Sequence, residues 1–160
     1  MDETETMENV EGKLKELGLE LPPTPKPMAQ YVPAKLVGDL AFVSGQGPMR
    51  DGKPVYTGRV GAELTLEQGC ECARLCALNC LAALKSVAGS LDCVEEVVQL
   101  RGFVNSAPGF DKQPEVLNGA SELLVKVFGE RGRHARAALG TCSLPRNIPV
   151  ELEMIARVRK

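Results

Sequence analysis

Arg136 and Glu151 are the two residues whose types and spacing offer chemistry most directly. A guanidinium is a planar fork that grips a carboxylate through two parallel hydrogen bonds, and a carboxylate beside it can take or give a proton. Both lie in residues 134–159, which read as two strands joined by a tight turn: HARAALGTCS, LPRNIP and VELEMIARVR. Pro145 cannot donate to a ladder, and Asn147 and Pro149 supply turn chemistry. In the second strand Val150, Leu152, Met154, Ala156 and Val158 share one face, and Glu151, Glu153, Ile155 and Arg157 share the other. Folding back across the turn is expected to bring Arg136 near Glu151 on neighbouring strands. On the residues alone, a structural ion pair at a strand edge is the simpler account of that pair.

Other residues could serve a ligand. The Tyr31 ring can wall off water while its hydroxyl contacts substrate, although an ordinary strand aromatic looks the same. Ser44 and Gly45 open the run SGQGP, where glycine permits close backbone approach but also simply makes turns. His134 is the only histidine and reads as a surface residue. Cys72, Cys76 and Cys80 recur along one side of a helix. A zinc site wants a fourth ligand and paired C-x-x-C loops, which are missing, and a disulfide framework wants a secreted context. The six cysteines therefore read as reduced, small core hydrophobes, with no metal expected.

These groups need elements to hold them. Residues 31–36 and 40–44 read as strands around a Gly38-Asp39 turn, and residues 56–60 as a weak third strand. Thr65 and Gln68 form a capping-box pattern that opens a long, largely buried helix stopping at Gly89. A strand over 94–104 follows. Asp111 is expected to cap a second helix with Pro114 in its first turn and Gly129 at its end. Residues 1–27 read as an N-terminal arm and Pro-rich linker that the fold does not need, including a short amphipathic helix over 9–19. The order βββ-α-β-α-ββ is α+β, with two helices on one face of a mixed sheet. A sheet covered on one side leaves a second face that must find a partner if apolar, so self-association is expected. At 160 residues with 44% hydrophobic and 25% charged residues the chain suits one domain with a sizeable core. A net charge of −2 gives no basic face for nucleic acid. No apolar run reaches the ~20 residues of a membrane helix, and the acidic start is not a signal peptide, so a soluble, cytoplasmic protein is expected.

The run ARAAL…LPRNIPVELEMIA, with FVSGQGP and VQLRGFV upstream in order, resembles the Rid/YjgF family of reactive intermediate deaminases over residues 28–160, as a longer-chain variant. His134, Ala138, Cys142 and Leu152 depart from the family's usual residues. The resemblance implies a fold like Bacillus-type chorismate mutase, assembled as a homotrimer around a barrel-like core with sites in the clefts between subunits. It implies cofactor-free hydrolysis of 2-imino or 2-enamino acids to 2-oxo acids and ammonia. Arg136 would clamp the substrate carboxylate and Glu151 would position or activate water. Tyr31, Ser44, Gly45 and Asn118 would contact substrate. A non-catalytic module that binds 2-oxo acids is the alternative. The family's older endoribonuclease label ranks last, because RNA cleavage wants a paired acid and base in a basic groove.

Overall fold

The structure, a computed structural model, describes residues 9–26 and 29–159. Of the expected arm, residues 1–8 and 27 lie outside the described residues. Its helix α1, Val10–Glu16, begins where the Asn9 side chain accepts from the Gly12 amide. Strands β1, Ala34–Val37, and β2, Leu40–Gln46, form a hairpin through Gly38, whose φ of 63° favours glycine. A two-stranded ribbon follows, β3 (Met49–Arg50) and β4 (Lys53–Pro54), turned by Asp51 and Gly52 at φ 52° and 77°. Residues 56–60 form no strand. Val60 makes only isolated bridges, to Leu64 and Ser106.

Helix α2, Leu66–Ala88, opens on the expected capping box and closes at Gly89. It lies across the sheet on small side chains: Cys76 Sγ donates to the Val150 carbonyl at 3.5 Å, and Cys80 Sγ to that of Leu152 at 3.7 Å. Burial raises the Cys72 thiol to about 12, with the Glu71 charge adding to the effect, and pushes Cys76 and Cys80 up as well. These three are core cysteines. Cys70 and Cys93 are only half-buried and Cys142 is exposed, against the expectation that all six fill the core.

Strand β5, Val94–Asn105, leads to helix α3, Gln113–Phe128, which packs on α2 closely enough that a side chain at Gly119 would run into the Cys70 carbonyl. Asp111 does not cap α3. Lys112 holds the cap position without a side-chain bond, and Pro114 sits in the first turn. Strand β6, Ala135–Thr141, and β7, Val150–Val158, complete a five-stranded sheet in the order β1-β2-β7-β5-β6. The sheet is mixed, because β6 runs parallel to β5 while the other pairs are antiparallel. Val43, Leu100, Leu152 and Met154 face the helices and are buried.

Two expectations are corrected here. The first is the β6–β7 hairpin: the α3 crossover lays β6 along β5, and β5 occupies the slot beside β7. The eight-residue link 142–149, turning at Arg146 and Asn147 with φ 56° each, carries the chain past β5 instead of folding it back. The second is the loose arm. Val10 and Leu14 are buried in the same core cluster as α2, α3 and the sheet. The Val10 amide donates to Asp92 Oδ1 at 2.8 Å, and Lys85 pairs with Glu11 at 2.6 Å. Leu14→Ala should therefore cost about 2–4 kcal/mol in denaturant unfolding, the usual loss for a buried leucine. A loss near zero would show that α1 adds nothing to the core.

Candidate functional site

Paired residues of a parallel ladder point to the same side, so Arg136, opposite Leu100, shares the helix side of the sheet. It lies on the edge strand, exposed, and reaches α3. Its Nη1 donates to Asn118 Oδ1 at 2.9 Å and to Ser121 Oγ at 3.1 Å. No carboxylate of the described residues lies within ion-pair distance of it, and Nε and Nη2 make no hydrogen bond there. A guanidinium held on one edge by neutral acceptors keeps its charge uncompensated and its other edge open. His134 joins the same cluster through Ser121.

The other candidates gather on the open face. Between the pairs Val43–Met154 and Gln46–Leu152, β2 fits Ser44 and Gly45 against the single residue Glu153, a bulge that re-aims the strand. Ser44 Oγ donates to the Val32 carbonyl at 2.6 Å, tying the bulge to the segment that carries Tyr31. Tyr31 and Ser44 line a concavity of about 710 Å³ together with Phe42, Gln99, Arg101 and Glu153. Glu151 stands next along β7. A Cβ on Gly45 would come to 3.0 Å from its Oε1, so a larger residue there would press on that carboxylate. Burial raises the Glu151 carboxyl above the usual range, and the Glu153 charge adds to it. Glu153 is itself paired with Arg101 at 3.0 Å, whereas Glu151 has no donor or cation beside it among the described residues.

The candidate residues thus fall into two candidate half-sites on one chain. Arg136 and Asn118 meet at the β6 edge, while Tyr31, Ser44, Gly45 and Glu151 share the opposite face. Arg136 is in register with Leu100 and Met154, and Glu151 with Phe103 and Leu139. Two strand spacings and three residue steps separate their backbones, on the order of 14 Å. They are not a cross-strand ion pair. Ser121, absent from the sequence reading, belongs to the first half-site. A signal for it existed: Asn118 and Ser121, three apart, are polar neighbours on one face of α3, beside its buried apolar stripe.

Residues 11–157 match the profile of the family described as "YjgF/chorismate mutase-like, putative endoribonuclease". The chain belongs to the YjgF family. The match begins inside α1, so that helix falls within the YjgF-like region. Protein TCP17 of Trypanosoma cruzi is 42% identical over 150 residues, covering 93% of this chain and 94% of that protein. A protein of unknown function from Agrobacterium tumefaciens superposes with a TM-score of 0.88 at 45% identity, covering 96% of each chain. A protein from Shewanella oneidensis described as a "putative endoribonuclease" gives 0.90 at 35% identity, covering 94% of this chain and 99% of its own. The YjgF fold expected from the resemblance, a mixed sheet with helices on one face, is the fold observed, with α1 as a third helix. No helix of the described residues is long and apolar enough to cross a membrane.

The half-buried Glu151 of this YjgF chain carries a stability consequence. Its pKa is raised on folding, so its contribution to stability is present below the unfolded carboxyl pKa and is lost as pH rises through the folded value. Glu151→Gln should then raise the thermal midpoint at neutral pH and leave it unchanged near about pH 3, where both states bind the proton. Thermal denaturation at the two pH values measures this. A midpoint that falls at neutral pH would mean the carboxylate has a stabilising partner.

Proposed function

We propose that the chain is a cofactor-free deaminase that hydrolyses 2-imino and 2-enamino acids to 2-oxo acids and ammonia, in clefts between the subunits of a homotrimer. The observation that carries this reading is the state of Arg136: exposed, aimed by Asn118 and Ser121, and without a carboxylate of its own. Such a cation is prepared for a carboxylate that arrives with a ligand. A half-site at a sheet edge and another on the open face become one site when the edge of one copy meets the face of the next. Repeating that head-to-tail contact around a three-fold axis closes a ring with three equal sites. Phe42, Phe103, Ile155 and Leu139 keep partial or full exposure on the faces that would meet.

In this reading Arg136 of one subunit holds the substrate carboxylate. Tyr31, Ser44 and the Gly45 backbone of the neighbouring face enclose the C=N group. Glu151, ionised, takes a proton from water as the water oxygen bonds to C2, and hands it to the imine nitrogen. In the resulting carbinolamine the hydroxyl gives its proton to Glu151, which passes it to the amino nitrogen as the C–N bond breaks, so ammonia departs and the 2-oxo acid remains. The raised Glu151 pKa makes it a stronger base than a solvated glutamate, and placement does most of the rest. A water-excluded fork on the carboxylate is worth ~2–4 kcal/mol, which sets the scale of the test.

Arg136→Lys keeps the charge but loses the fork, so imine hydrolysis should fall roughly thirty- to a thousand-fold with folding intact. The assay supplies imines from an amino-acid oxidase and follows the 2-oxo acid formed. Wild-type protein that binds pyruvate through Arg136 yet hydrolyses no imine would make the chain a binding module for 2-oxo acids. Sedimentation at micromolar concentration should give a trimer, and a stable monomer would leave the two half-sites unjoined and overturn the mechanism.

A further inference from the structure

His134 stands where a surface role was expected, yet both its ring nitrogens are engaged. Nδ1 lies 2.7 Å from the Gly132 carbonyl oxygen, and Nε2 lies 2.9 Å from Ser121 Oγ. A carbonyl only accepts, so Nδ1 carries the proton. In the neutral ring Nε2 is then an acceptor, and the Ser121 hydroxyl must donate to it. With its proton committed, Ser121 can turn only lone pairs toward its remaining partner, Arg136 Nη1. The anchor of this chain is rigid. Gly132 is buried, and a side chain there would collide with the Leu124 carbonyl at the end of α3. Burial keeps the ring neutral by lowering its pKa, the Gly132 bond opposes this, and the Arg136 charge adds to it.

We propose that His134, acting through Ser121, is a positioning residue for Arg136, fixing the serine hydroxyl as an acceptor so that the guanidinium is held in one orientation. The proposal rests on the carboxylate-clamp reading of Arg136. Without the histidine, the hydroxyl rotor is free to point its proton at the guanidinium, donor against donor, and Nη1 keeps only Asn118. The residue is then a determinant of how tightly and at what angle a carboxylate is gripped, although it touches no substrate.

His134 is the only histidine, so its imidazole signals in nitrogen-15 NMR need no assignment. The expected ring is the neutral Nδ1–H form, and Ser121→Ala should move the Nε2 signal. Calorimetric binding of pyruvate should weaken roughly ten- to 150-fold in Ser121→Ala and in His134→Ala, the effect of one lost hydrogen bond to a charged group. Because both act through one bond, the double variant should bind within about twofold of Ser121→Ala. Thermal midpoints recorded beside the binding data separate positioning from a structural role, which would lower stability additively and leave affinity alone. An Nε2–H ring, or variants that bind as the wild type does, would overturn the relay while leaving the deaminase reading in place. A wild type that binds no 2-oxo acid would sink the deaminase reading instead. The relay would then be judged on the ring, whose signals must shift in Arg136→Lys, and an unmoved ring overturns it.

Discussion

A strand that runs parallel to its neighbour cannot be reached by a hairpin, so the chain must cross over the sheet, and α3 is that crossover. The candidate site depends on this. It lays β6 on the outer side of β5, turns Arg136 toward the helices, and brings Asn118 and Ser121 down onto the guanidinium from the same helix that makes the connection. It also moves Arg136 away from β7, where an antiparallel hairpin would have neutralised it against a glutamate. An arginine with a local carboxylate partner is a structural brace. Deprived of one, it stays available to an outside anion.

The close fit of the layers allows the crossover to be short and rigid. Aromatic residues are few, 4% of the chain, and the helix–sheet contact is made mainly by cysteine, alanine, leucine and valine. Small side chains let α2 sit near enough to β7 for thiols to meet backbone carbonyls, and Gly119 lets α3 rest against the α2 backbone. Close-packed interiors have low compressibility, so a displacement is carried by whole elements rather than absorbed locally. The relay from Gly132 to Arg136 is therefore set on a platform with little slack.

Most of the fold was legible because its signals are local. The capping box at Thr65, the glycine stops at Gly89 and Gly129, and the period-2 pattern of β7 each depend on residues a few positions apart. Strand neighbourhood is not local. Residues 134–159 carry a good hairpin pattern, and nothing within them reveals that β5 lies between the two strands. The eight-residue link tolerates either path. The short β3–β4 ribbon and the uncapped start of α3 were hidden for another reason: turn residues at Asp51-Gly52 and Asp111 have several uses, and tertiary packing selects among them. At the candidate site, residue types singled out Arg136 and Glu151, but the face that Arg136 takes follows from the parallel pairing of β6 with β5. Its hydrogen-bond partner Ser121 was visible only as a polar residue beside the apolar stripe of α3.

The row of thiols under α2 has a use beyond packing. Cys72, Cys76 and Cys80 step along the helix face pressed to the sheet, protonated and shielded, whereas Cys142 lies in the open. A soluble thiol reagent would therefore meet two extremes in one molecule, Cys142 reacting at once and the buried three only when α2 lifts off, with the half-buried Cys70 and Cys93 between them. The chain carries its own clock for the opening of its core, needing no label, and the same clock would slow if subunit association or a ligand stiffened the sheet beneath it.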